Sequence, residues 1–225
     1  MSEAKTRTPS QAPSPIELAL LTAVVAVLIW SGIEPHDRLT WILETSPVWV
    51  GLIILVATYR RFRFTTLVYT LIAAHCVLLS VGGHYTYSKV PLFDWFKEAA
   101  GLSRNHFDRL GHFAQGFVPA VIAREILIRF EVVRGRGWLF TLVVSLCLSV
   151  SLIYELTEWL AGILFGGRAS DFLGTQGDPF DTQADMFFAL VGALAALLTL
   201  SRLHDRQLAS QIKRAPAVAT AEPSG

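Results

Sequence analysis

The chain has 225 residues, of which 52% are hydrophobic and 16% charged, with a formal net charge of +1. Long apolar runs and a mean hydropathy of +0.47 exclude an ordinary soluble domain and define an all-α, polytopic membrane protein. The net charge gives no sign of nucleic acid, which is not expected as a partner; Cys76 and Cys147 lie within apolar runs as small hydrophobes, so no disulfide follows.

Residues 1–15 (MSEAKTRTPSQAPSP) are rich in Pro, Ser and Ala and read as a disordered cytoplasmic tail. A first span is expected over residues 16–33. The IWSGIEP stretch at its end lacks a small-x-small cleavage pattern, so the helix is retained and is no signal peptide. Residues 34–46 read as a polar turn with Trp41 at an interface, and 47–58 as a short second span beginning at Pro47. Arg60, Arg61 and Arg63 make a basic loop before a third span over 65–81, which ends in Gly82-Gly83-His84-Tyr85. Residues 85–103 form a connector whose PLFDWFKEAA segment reads as an interfacial amphipathic helix, with Phe93, Trp95 and Phe96 at head-group depth.

The fourth span covers 106–128, and Pro119 within it removes a backbone donor, frees the Gln115 carbonyl and predicts a kink. The fifth, 138–165, carries Glu155 and Glu158. The loop GGRASDFLGTQGDPFDT leads into a sixth over 181–200, and the tail 202–225 is basic and then Ala/Pro-rich. A six-helix transmembrane domain is thus expected over 16–201, with a cytoplasmic tail on each side. Alternate loops hold Lys5/Arg7, Arg60/Arg61/Arg63, Arg124/Arg129/Arg134/Arg136 and Arg202/Arg206/Lys213/Arg214, thirteen basic residues. The opposite side holds six: Arg38, Lys89, Lys97, Arg104, Arg109 and Arg168. This positive-inside bias predicts both termini in the cytoplasm.

The fourth span is the unusual one. Asp108, His112 and Gln115, spaced i, i+4 and i+7, share one helical face. A central Asp costs roughly 2.5–3.5 kcal/mol on insertion scales while a Leu or Phe returns only about 0.3–0.6, so partners on other helices are expected. In the predicted topology Asp108 lies at the outer interface and His112 about 6 Å further in, at 1.5 Å per residue. Glu155 and Glu158 (i, i+3, with Ser151) fall in the same outer third, as do Asp181 and Asp185 (i, i+4), and His84 and Tyr85 close the third span at that level. Asp178-Pro179-Phe180-Asp181 also reads as a capped helix start, Asp108 as a first-turn acid, and the inner acids as structural ion pairs of Arg104, Arg109 or Arg168. Arg124 and Glu125 read as snorkelling or paired residues at the inner end.

An oxygen-rich set with one or two histidines suits a divalent cation such as Mg²⁺, Mn²⁺ or Zn²⁺. Asp108, His112, Glu155, Glu158, Asp181, Asp185 and His84 are the candidate metal ligands, and His112, Glu155, Glu158 and Asp185 the candidate catalytic groups. Arg104, Arg109, Arg168, Gln115 and Tyr85 are the candidate substrate contacts, the arginines as phosphate partners. The GTQGDP loop offers backbone donors to a phosphate.

GGHYTY, NHFDRLGHFAQGFVPA, YELTEW and GTQGDPFDTQADM resemble the YjdF-like family of bacterial inner-membrane proteins over nearly the whole chain outside both tails. More loosely, Asp108-Arg109-Leu110-Gly111-His112-Phe113, Glu155 with Glu158, and Asp181/Asp185 with Gly192 resemble VanZ-like membrane proteins. Glu158 stands where that family has Gln, and Ala189 where it has Asn. The resemblance implies an inner (plasma) membrane location and, through VanZ-like proteins, a link to envelope lipids or glycopeptide-antibiotic tolerance. Three functions stay open: an enzyme, hydrolase or transferase, acting on a lipid or polyprenyl-phosphate head group; a proton, cation or small-solute binding or transport protein; and a structural, partner-binding membrane protein.

Overall fold

In the computed structural model, which describes residues 12–214, all regular structure is helical. Of the expected tails 1–15 and 202–225, residues 1–11 and 215–225 lie outside the described residues. α1 (Pro15–Ser31) starts with a reciprocal cap: Ser14 Oγ accepts from the Glu17 amide while the Glu17 carboxylate accepts from the Ser14 amide. α2 (Arg38–Thr58) is capped by Asp37, whose Oδ1 accepts from the Thr40 amide at 2.7 Å; this bond holds the Asp37 carboxyl below the usual carboxylate range. α3 (Thr66–Tyr85), α4 (Pro91–Ala100), α5 (Phe107–Arg129), α6 (Arg136–Phe165), the single turn α7 (Ser170–Leu173) and α8 (Asp181–Arg214) follow. Four stretches are long and apolar enough to cross a bilayer: α2, α3, Arg136–Leu173 and Asp181–Gln211. α1 is a shorter apolar helix. The protein is therefore an all-α helical membrane bundle.

Three boundaries differ from expectation. The second span starts at Arg38 and not at Pro47, because Pro47 is accommodated inside the helix: the carbonyl it deprives of a partner, that of Leu43, accepts instead from Ser46 Oγ at 2.7 Å. The third runs on through Gly82-Gly83 to Tyr85. Those glycines do not break it because they are contact points; a Cβ on Gly82 would overlap the Tyr87 ring. The sixth continues as helix through the basic segment to Arg214 and docks on the start of α3, where Gln207 accepts from the Leu67 amide and Gln211 donates to the Phe64 carbonyl. α4 is the amphipathic connector expected, with Leu92, Trp95 and Phe96 exposed and Phe93 turned in against the Phe107 ring.

α5 is the axis of the bundle. It packs on α3, α6 and most closely on α8, and thirteen of its residues are buried. It runs without a break through Pro119. Its crossing with α8 has no side chain between the two backbones: a Cβ on Gly116 would overlap the Ala189 carbonyl, and one on Gly192 the Phe113 carbonyl. Gly116→Ala must force the helices apart and should destabilise the protein by about 1–3 kcal/mol, as overpacking does. Gly51→Ala, which meets nothing within 4 Å, should be neutral or slightly stabilising. Equilibrium unfolding in micelles compares the two.

Candidate functional site

Two polar clusters sit at opposite ends of α5. At its end near residue 125, the fully buried Glu125 accepts from the Thr65 amide and hydroxyl, from Arg129 at 3.0 Å and from His204 Nε2 at 2.9 Å. Arg124 can only donate, so His204 Nδ1 accepts from it at 3.0 Å and the His204 proton lies on Nε2, toward Glu125. Arg124 also reaches Asp205 at 2.6 Å. The expected pairing of Arg124 and Glu125 is thus present, with partners that lay hidden in what read as a tail. Every charge here has a mate, and the cluster locks α3, α5 and α8 together.

The other end holds the predicted site. Arg104 and Arg109, separated by one turn at the start of α5, grip the start of α8. Arg104 donates to Asp181 at 2.5 Å and to Asp108 and Asp178 at 3.3 Å. Arg109 donates to Asp185, to Asp181 at 2.8 Å and to Asp178 at 3.0 Å. The helix begins at Asp181 and not at Pro179, so Asp178 is no N-cap; its Oδ1 accepts from the Phe180 amide in the turn ahead of α8, and the Asp181 carboxylate goes to the arginines. The GTQGDP loop is pinned over α5 by paired bonds between Gln176 and the Asn105 backbone, at 2.9 Å each. At the rim, His106 is held below the ordinary histidine range by partial burial and by the charges of Arg104 and Arg109.

Inside this clamp lies His112, which is 3% exposed. Its ring separates two sets of acids. Nε2 faces Asp108 Oδ1 at 3.5 Å and Asp185 Oδ1 at 3.8 Å; Nδ1 faces Gln115 Oε1 at 3.0 Å and Glu155 Oε1 at 3.7 Å. Donor atoms of Asp108, His112 and Asp185 lie within 4.8 Å of one another, as do those of His112, Glu155 and Glu158. The two sides are not equivalent. Asp108 and Asp185 are already bonded by arginine, whereas Glu155 Oε1 and Ser151 Oγ are buried with no hydrogen-bond partner among the described residues. An orphaned carboxylate oxygen beside an imidazole fits a cation: with bonds of about 2.0–2.2 Å, tetrahedral donors sit about 3.4 Å apart, so those now up to 4.8 Å apart would draw together on binding. The imidazole would then bind through one nitrogen and hydrogen-bond an acid through the other.

The structure gathers Asp108, His112, Gln115, Glu155, Glu158, Asp181, Asp185, Arg104 and Arg109. It leaves three predicted residues outside. His84 Nδ1 contacts the Ser31 carbonyl at 3.1 Å with its ring against Trp30, and Tyr85 packs on the same pair. The exposed Arg168 sits in a 3-10 turn near the Phe165 ring. Arg104 and Arg109 are present but committed to aspartates. In place of Tyr85 the site has Tyr154, whose ring meets the His112 edge and whose hydroxyl donates to the buried Glu44 on α2 at 2.7 Å. Glu44 was missed because WILETSPVWV read partly as a turn; an acid one turn before a proline in an otherwise apolar run was the available signal.

A cavity of about 360 Å³ runs along this side of His112, among α2, α3, α5, α6 and α7. α2 packs along α3 and against α7 but not along α6. The exposed Ser46 and Pro47 on one side, and Val150, Ile153 and Thr157 on the other, form a lateral mouth.

A buried carboxylate–histidine cluster within a bundle of long apolar helices defines a helical membrane protein with a polar interior. The family described as "Predicted membrane protein (DUF2238)" matches residues 16–206, and the chain belongs to it. It is 53% identical over 182 residues to the Escherichia coli (strain K12) "Inner membrane protein YjdF", covering 81% of this chain and 87% of that one. No solved structure matches. The chain is accordingly a multi-pass inner-membrane protein; the VanZ-like resemblance rests on the motif residues alone.

The clamp and the orphaned acid should respond oppositely to neutralisation. Arg109→Ala leaves the buried Asp185 without its arginine, while Arg104 still holds Asp178 and Asp181, and should cost about 3–5 kcal/mol. Glu155→Gln removes a buried charge with one oxygen lacking a hydrogen bond and should leave the stability of chelator-treated protein unchanged or raised, measured by unfolding in micelles.

Proposed function

We propose that this protein is a metal-dependent membrane enzyme, a hydrolase or transferase, acting on a lipid head group that enters sideways from the bilayer. The observation that carries this is the cavity mouth between α2 and α6, which leads from the apolar surface to His112, whose Nδ1 faces the unpaired Glu155 oxygen from behind the cavity wall. With α1 and α5 read as two of six crossings, the positive-inside bias supports an outer-leaflet position for the His112 end. At about 1.5 Å per residue α1 is about 25 Å long and α5 about 34 Å, enough for both to cross.

His112, Glu155 and Glu158 would hold the ion, with Asp108 and Asp185 orienting the imidazole from behind. Bound there, a divalent ion supplies Lewis acidity and an activated water. Glu44 and Tyr154, joined across the mouth, position the polar end of the substrate. Arg104 and Arg109 do not serve as phosphate ligands in this reading; their donors hold α8 in place, and the acid excess makes the chamber a cation seat first. A through-path for ions is less well supported, because the Glu125–His204 cluster at the far end is fully paired and closed.

Elemental analysis of detergent-purified protein should find close to one divalent ion per chain, lost in His112→Ala and Glu155→Ala while the fold is retained. In nanodiscs of bacterial polar lipid, metal-loaded wild type should change lipid head groups, followed by mass spectrometry, and Glu155→Gln should not. Wild-type protein without metal above background would overturn the proposal.

A further inference from the structure

The cavity holds a second imidazole that the His112 site does not use. His75 on α3 lines it, and its Nε2 is buried with no hydrogen-bond partner among the described residues. Its depth follows from the register of α3 against α5. The Thr65 amide meets Glu125 at 3.0 Å, and the helices run in opposite directions from there. Ten residues along α3 from Thr65 is His75, and ten residues back along α5 from Glu125 is Gln115. His75 is therefore level with Gln115, three residues below His112, or about 4.5 Å deeper at 1.5 Å per residue.

Along its length the cavity changes character in three steps. The His112 imidazole, with carboxylates packed behind it, forms the polar end. One turn deeper, His75 offers a polar nitrogen beside the cavity. Deeper still, Pro119 and Val150 give apolar walls beside the lateral mouth. A buried ring nitrogen without a partner is destabilising, and with the proton on Nε2 this one calls for a neutral acceptor from whatever fills the space. Charged head, neutral carbonyl, hydrocarbon: that is the order of groups along an ester-linked glycerolipid. A polyprenyl phosphate has hydrocarbon where the carbonyl would be, and leaves the nitrogen unsatisfied.

We infer that the cavity seats an ester-linked glycerolipid, with His75 Nε2 donating to an ester carbonyl while the head group reaches His112. This rests on the lipid reading above and narrows it to one lipid class. His75 is a positioning residue; it sets how deep the lipid sits.

The test uses full-length protein in micelles with two probes sharing a phosphatidylethanolamine head group, one with ester-linked and one with ether-linked chains. Retention is read by native mass spectrometry, with undecaprenyl phosphate as a third competitor. Wild type should hold the diester about tenfold more tightly than the diether, the scale of one lost hydrogen bond. His75→Leu should bind both equally and keep its metal, and His75→Gln, which restores a donor, should recover part of the preference. Equal retention of diester and diether by wild type, or displacement of both by undecaprenyl phosphate, overturns the inference. That comparison needs no variant to fold. Metal content measured on the same samples separates the two readings: ester preference without metal would sink the enzyme proposal and leave the seat standing.

Discussion

Two arginines, Arg104 just before α5 and Arg109 in its first turn, set the geometry on which the rest depends. In water such pairs contribute little, but within an apolar bundle each guanidinium and carboxylate must find its counterpart or exact a heavy desolvation penalty. Arg104 and Arg109 share Asp181 and Asp178 between them and add Asp108 and Asp185, so the first turns of α5 and α8 are laced together in one arrangement. With those turns fixed, His112 and Asp185 are brought face to face, and α6 needs only to pack alongside to present Glu155. The glycine crossing one turn further along completes the alignment, since backbones in direct contact leave no room for a slip in register.

This division of labour accounts for an acidic chamber that contains two arginines and still suits a cation. The aspartates nearest the α8 start are balanced, and the glutamates on α6 are not. Charge that has been neutralised holds the architecture, and the charge left open lies beside His112. The far cluster around Glu125 shows the contrast: the same residue types, equally buried, but closed on one another through His204, Arg124, Arg129 and Thr65.

Helical spacing and depth alone disclosed much of this. Asp108, His112 and Gln115 on one face, and Glu155 with Glu158 and Asp181 with Asp185 at a matching level, were legible because polar residues in an apolar run are costly and must be answered from elsewhere. Depth does not specify azimuth, however. His84 and Tyr85 are at the right height but turn toward Trp30, and Arg168 lies on an exposed turn. Glu44 and His204 were hidden for a different reason: each sits in a stretch whose polarity made it look like loop or tail, when tertiary contacts had extended the helix through it. His75 gave no sign at all, since a lone histidine in a span becomes informative only when its missing partner can be seen.

The Glu44–Tyr154 hydrogen bond links α2 to α6. Because α5 and α8 touch backbone to backbone, neither can swing independently of the other. α2 has no such restraint along its side nearest α6. Any breathing of the chamber therefore falls to α2, which acts as a door leaf hung on α3 and latched by a single tyrosine hydroxyl.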